Sequence, residues 1–263
     1  MTNSSIGMGE QDQAEREKFE NELNRIIEAS DNSGVILRVI GSLAFQMHCP
    51  KYGYLQAALG RAYTDIDFAG YRKQTKEVKD LMIDLGYGEY KEVSIMSEGD
   101  RAIFNHENSS LHVDVFFDKL DFSHVINWDN RLEVDHPTIP LSELLLEKMQ
   151  IYKINEKDII DTIMLLLEHP LGDNDDEVIN IERIAQLLAR DWGLWRTTTM
   201  NLDKVKQMAV RYSQIEGEQQ TQIVNQVETA QARIEAEPKS RGWRLRDRVG
   251  DRVKWYKEVD EVE

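Results

Sequence analysis

Apolar residues recur at helical spacing over residues 10 to 29, where Phe19, Leu23, Ile26 and Ile27 mark one face of an amphipathic helix. Asp31-Asn32-Ser33-Gly34 reads as the turn that ends it. Val35 to Ile40 is a short, β-branched run bounded by Gly34 and Gly41, which predicts a buried strand, and Ser42 to Met47 reads as a helix. A second strand is expected around Thr64 to Phe68, then a helix from Thr75 to Leu85 that stops at Gly86. Three more strands are expected at Glu89 to Ile95, Arg101 to His106 and Leu111 to Phe117. In the last, Leu111, Val113, Val115 and Phe117 alternate with His112, Asp114 and Phe116 on the opposite face.

After Pro137 and Pro140 the period changes from 2 to 3.6, and Leu141 to Tyr152, Glu156 to Glu168 and Val178 to Ala189 read as helices. From Leu202 on, Val205, Met208, Tyr212, Ile215, Ile223, Val227, Ala230 and Ile234 lie close to heptad spacing, as one long helix kinked at Gly217 or as two. Pro238 ends that pattern. The expected organisation is an N-terminal helix over 1–30, a core over 31–135, a helical subdomain over 136–200, and a long helix with a tail over 201–263. The fold class is α/β (α+β), a small mixed sheet flanked by helices and followed by a helical subdomain and long C-terminal helices.

Composition narrows the function classes. With 263 residues the chain is long enough to bury a real core. Its mean hydropathy of -0.54 comes with no apolar run near the ~20 residues that span a bilayer, so a membrane-spanning protein is not expected. The first nine residues lack a basic-then-apolar leader, and a lone Cys49 makes neither an intrachain disulfide nor a multi-thiolate zinc site, so a reduced cytoplasmic protein is expected. The net charge of -16 disfavours broad clamping of a nucleic-acid duplex. Lys239 to Lys257 departs from it, with eight basic and two acidic residues, so that segment carries +6 and the remainder -22. Trp243, Trp255 and Tyr256 interleave with those arginines, either as a surface for stacking RNA bases or as a strip packed on the chain's own body.

Three features then recur in order on expected strands: Gly41-Ser42, Asp65-Ile66-Asp67 and His112-Val113-Asp114-Val115. Residues i and i+2 of a strand share a face about 6 to 7 Å apart, so Asp65 and Asp67 project together while Ile66 enters the core. Asp114 joins them from a neighbouring strand. Converging carboxylates repel one another and are stable as anions mainly when hard cations such as magnesium neutralise them. Two such ions about 3.5 to 4 Å apart suit in-line phosphoryl displacement. The Gly41-Ser42 turn, without a Cβ at its first residue, can aim main-chain N–H groups at an anion. Each piece alone is also an ordinary turn, strand edge or solvent face; their order on one small α/β region is what points to chemistry.

Val39-Ile40-Gly41-Ser42, Arg61-Ala62-Tyr63-Thr64-Asp65-Ile66-Asp67-Phe68 and Val113-Asp114-Val115 resemble the motifs of the nucleotidyltransferase superfamily with the DNA polymerase β-like fold. They are similar in particular to the minimal enzymes of abortive-infection and toxin–antitoxin systems, with Leu145-Leu146-Glu147-Lys148 and Lys157-Asp158-Ile159-Ile160-Asp161 as the helical motif that follows. The resemblance covers roughly Val35 to Leu167. It implies that Asp65, Asp67 and Asp114 bind two magnesium ions, that Asp114 helps deprotonate the acceptor, and that Gly41 and Ser42 hold the terminal phosphates of an ATP-like nucleoside triphosphate. It also implies that Arg61 and Lys148 neutralise the triphosphate and that Asp161 orients Lys148 or a nucleotide group. The bland readings are a surface ion pair for Arg61, a solvated helix face for Lys148 and an ordinary i, i+4 pair for Lys157 and Asp161. One departure stands out. Leu43 to Thr64 is longer than a short helix and turn require, so a loop through Cys49-Pro50-Lys51-Tyr52-Gly53-Tyr54 is inserted, either as a lid or as a packed excursion.

The resulting expectation is magnesium-dependent transfer of a nucleoside monophosphate to a hydroxyl of RNA, protein or a small molecule. The rivals are a catalytically idle, antitoxin-like binding module that pairs with a partner chain through the C-terminal helices, and a phosphohydrolase that uses water.

Overall fold

The structure, a computed structural model, describes residues 10–58 and 65–259. They fall into two compact units. The first comprises the chain up to Met47, Gly53–Lys119 and Trp128–Ile139; the second comprises His48–Tyr52, Leu120–Asn127 and the chain from Pro140.

In the first unit α1 (Glu10–Ser33) leads into β1 (Leu37–Ile40), and α2 (Gly41–His48) and α3 (Tyr54–Ala58) precede β2 (Ile66–Gly70). Then come α4 (Thr75–Asp84), β3 (Tyr87–Tyr90), α5 (Lys91–Met96), β4 (Arg101–His106) and β5 (His112–Phe117). The strands form one mixed sheet in the order β1-β2-β5-β4-β3, in which β2 and β5 run parallel and the other neighbours antiparallel. Strand alternation builds the core. Ile66 lies opposite Val113, Phe68 opposite Val115, and Phe104 and Ala102 continue the same face, all of them at most 1% exposed. Each such large side chain contributes about 1.5–3 kcal/mol when fully buried. Leu23 and Ile26 of α1 and Val78 and Met82 of α4 are buried as well, as is Trp128. Hydrogen bonds tie α1 down, among them those from Arg25 to the Leu85 carbonyl and from the Tyr87 hydroxyl to Glu22.

The expected strand from Glu89 to Ile95 is corrected. It ends at Tyr90, and Lys91–Met96 is a helix. Ile95 and Met96 are 76% and 85% exposed, so no core holds that stretch extended at the sheet's edge, and the backbone closes local bonds such as Ser97 N–H to the Val93 carbonyl. The expected inserted loop is a packed excursion where it is described: Cys49 and Tyr52 are buried, and α3 follows.

The second unit is mainly helical, with α6 (Leu141–Met149), α7 (Glu156–Glu168), α8 (Ile181–Leu188), α9 (Trp192–Ala209), α10 (Gly217–Ala236) and α11 (Arg241–Asp247). Side-chain caps start several of them: Asn155 accepts from Asp158 N–H, Asn180 from Arg183, Asp191 from Leu194 and Ser240 from Trp243. The heptad-like stretch is two helices. Gly217 opens the second one, where Glu216 and Gln219 form a reciprocal capping box, and does not kink a single rod. Ile223, Val227, Ala230 and Ile234 are at most 1% exposed, so this stripe is core of its own unit and not an open seam. Among the described residues no helix is long and apolar enough to cross a membrane.

Candidate active site

Asp67 and Asp114 lie on the sheet face opposite the apolar core. Asp65 immediately precedes β2 and Asp67 lies within it, both half-buried, while Ile66 and Phe68 between and after them are 0% exposed. Asp67 is the register partner of Asp114 on β5, and parallel partners project from the same side. Ile40, the last residue of β1, is the register partner of Asp67, so the chain turns into α2 beside that carboxylate. Gly41 makes the turn at φ +67°, a left-handed conformation that favours glycine, and a Cβ there would stand 2.4 Å from Asp67 Oδ2. Glycine is required twice over at this position. Ser42 is buried, and its main-chain carbonyl faces Gln56 Nε2 at 3.5 Å.

The structure adds a residue that the motif reading missed. Arg101 on β4 is the register partner of Phe116, which makes it the diagonal neighbour of Asp114. Its Nε donates to Oδ1 at 3.0 Å and to Oδ2 at 2.8 Å, and its Nη2 also donates to Oδ2. The guanidinium carbon lies 5.1 Å from the Phe116 ring centroid. Burial would lower the pKa of Arg101, but the hydrogen bonds to Asp114 and the charges of Asp114, Asp67 and Asp65 outweigh it and hold the group above its ordinary value. For Asp114 burial dominates. It pushes the carboxyl up, with help from the charge of Asp65 and against the pull of Arg101. The signal for Arg101 was present in the sequence, because Glu107-Asn108-Ser109-Ser110 turns β4 back on β5, but it becomes readable only once the hairpin register is fixed.

The donor set is chemically that of a hard cation, carboxylate oxygen throughout. Among the described residues, no three His, Cys, Asp or Glu side chains are gathered closely enough to hold a metal ion. The third carboxylate of the expected set is turned to Arg101.

The remaining expected residues lie elsewhere. Arg61, with Ala62 to Thr64 of its motif, is outside the described residues. Lys148 and Asp161 belong to the second unit, where Lys148 is 7% and Asp161 0% exposed. The Lys148 ammonium lies 2.9 Å from Glu147, 3.3 Å from Asp158 and 3.7 Å from Asp161. It is a buried ion-pair centre and not a solvated helix face. Cys49 is buried in the same unit, and burial, with the charges of Glu168 and Asp161, pushes its thiol up and keeps it protonated.

The basic tail packs its aromatics inward. Trp255 donates to Thr197, Tyr256 stacks on Tyr152 with centroids 3.4 Å apart, and Trp243 is 8% exposed against Trp195. Its two acids are engaged as well, Asp247 by Trp192 Nε1 and Asp251 by Arg196. Arg241, Arg244, Arg248 and Arg252 are exposed.

No family model matches the chain, and no curated protein and no solved structure is significantly similar to it.

Proposed function

We propose that this chain transfers a nucleoside monophosphate from a nucleoside triphosphate to an acceptor hydroxyl, with magnesium, and releases pyrophosphate. The observation that carries the reading is the register of Asp67 with Asp114 while Gly41 backs directly onto Asp67. It supports one compact place for cation-binding carboxylates and for a phosphate-binding turn.

In this reaction the acceptor oxygen bonds to the α-phosphorus and the bond from that phosphorus to the α,β-bridging oxygen breaks. Pyrophosphate leaves with the electron pair, and the acceptor proton passes to a base. Asp65 and Asp67 would hold the magnesium, which when bound neutralises phosphate charge and polarises the α-phosphoryl group. Asp114 is the base in this reading, since burial raises its affinity for a proton. Gly41 and Ser42, at the first turn of α2, would present main-chain N–H groups to the terminal phosphates. Arg61 stays in the reading as a cation for the triphosphate. The acceptor is a hydroxyl of RNA, of a protein or of a small molecule.

The test is incubation with magnesium and each α-labelled nucleoside triphosphate, with cellular RNA and protein extract as acceptors, comparing wild type with Asp65→Asn plus Asp67→Asn. Label that enters RNA or protein only with the wild type supports transfer and identifies the acceptor class. One observation favours a second reading, a nucleotide-binding module without transfer: Arg101 covers both oxygens of Asp114. Nucleotide binding without pyrophosphate release from any acceptor would select it.

A further inference from the structure

The basic tail turns its acids toward the second unit and its free arginines away from it. Asp247 accepts from Trp192 Nε1 at 2.7 Å, Asp251 accepts from Arg196, and Trp243, 8% exposed, packs on Trp195. Arg246 closes the turn after α11: it lies over the Trp192 ring and donates to the Gly250 and Val253 carbonyls. The helical backbone of α11 continues through Arg248 and Val249. At about 100° per residue, Arg244, Arg248, Arg241, Leu245 and Val249 follow one another round a single arc, with Trp243 opposite. All five are exposed, Leu245 at 62% and Val249 at 39%, and so is Val253 beyond the turn at 56%. Among the described residues, none of Arg241, Arg244, Arg248 and Arg252 has a side-chain hydrogen bond or ion pair.

Exposed aliphatic groups beside unpaired arginines on one anchored helix face match the interface of an anionic bilayer. There the apolar groups reach the acyl boundary while guanidiniums pair with lipid phosphates. RNA phosphates would suit the same arginines, but the tail's aromatics, which would stack bases, pack inward, and Leu245 and Val249 add nothing to phosphate recognition. The charge of -22 outside the tail is screened beyond about 8 Å at physiological salt, so it does not prevent contact through the basic arc.

We propose that this arc docks on membranes containing anionic phospholipid, with Leu245 and Val249 entering the interface and Arg241, Arg244 and Arg248 on the phosphates. The proposal is independent of the transfer reading.

The test is flotation of the full chain with phosphatidylcholine vesicles that either contain or lack phosphatidylserine. Binding is expected only to the vesicles with phosphatidylserine and is expected to weaken as salt rises. Arg244→Ala with Arg248→Ala is expected to weaken it about thirtyfold, at about fivefold per arginine near such a surface. Leu245→Ser is expected to weaken it about tenfold without changing the salt dependence. These side chains are exposed, and urea midpoints equal to wild type establish that the variants fold; the comparison of vesicles on the wild type stands without them. No flotation of the wild type, equal flotation with both kinds of vesicle, or full binding by folded Leu245→Ser would overturn the proposal. Capture of a single-stranded RNA oligonucleotide without flotation, lost in the arginine variant and kept in Leu245→Ser, would overturn it and assign the arc to RNA.

Discussion

Each unit holds a cation against carboxylates, Lys148 among three and Arg101 against Asp114, and the two sites differ in what surrounds them. Lys148 sits with Glu147, Asp158 and Asp161 in a helical setting, its side chain 9% and that of Asp161 0% exposed. Arg101 holds Asp114 on the sheet face, its side chain 30% exposed, in a forked pairing over an aromatic ring. An ammonium is a point charge that satisfies several acids around it, whereas a guanidinium holds one carboxylate in a fixed plane. The lysine site therefore acts as a pin between α6 and α7, whereas the arginine at the other site keeps 30% of its side chain exposed. The family resemblance assigned Lys148 and Asp114 alike to nucleotide chemistry and left Arg101 out.

Substitutions can break or sharpen this contrast. Asp67→Asn is expected to lower nucleotidyl transfer on the order of 10³-fold or more, since several kcal/mol of charge stabilisation are lost. Its urea midpoint should stay close to wild type, and retained activity would remove the arginine site from the chemistry. Lys148→Met is expected to act on stability, about 3–5 kcal/mol by urea denaturation, because it removes a cation from buried carboxylates. An unchanged midpoint would end the distinction between the two sites. Gly41→Ala is expected to cost about 1–2 kcal/mol for the left-handed backbone alone and to weaken Mn2+ binding by displacing Asp67.

The smallest expected effect belongs to His124 of the second unit, which is 2.8 Å from Thr197 and whose pKa burial pulls below its ordinary value. The unfolded chain takes up this proton first, so stability is full above about pH 6.5 and declines as the pH falls toward the depressed folded value. Replacing His124 with Gln should flatten that part of the stability profile, as measured by urea midpoints across pH.

Much of this could be read along the chain because local signals agreed with the tertiary outcome. Arg101–His106 and Glu156–Glu168 form where their periods place them, the latter behind its Asn155 cap. Asp67 and Asp114 share a face because alternation fixes the side of every strand residue. What escaped depends on pairing across the chain. The contact of Arg101 with Asp114 is a diagonal of a hairpin register, and no one-dimensional spacing contains it. All nine residues of α6 are buried, yet a solvated face was the bland reading for Lys148, since its partners Asp158 and Asp161 come from the next helix. The same limit applied to Lys91–Met96, where alternation without a neighbour to bury it gave a helix.

The inward packing of the tail aromatics gives the protein uneven optical reporters. Trp192, Trp195, Trp243 and Trp255 belong to the second unit, whereas the first holds Trp128 alone, fully buried. Emission from a Trp128→Phe chain would follow the helical unit by itself, and the difference from wild type would follow the sheet. Loss of structure in each half can thus be timed without attaching a dye.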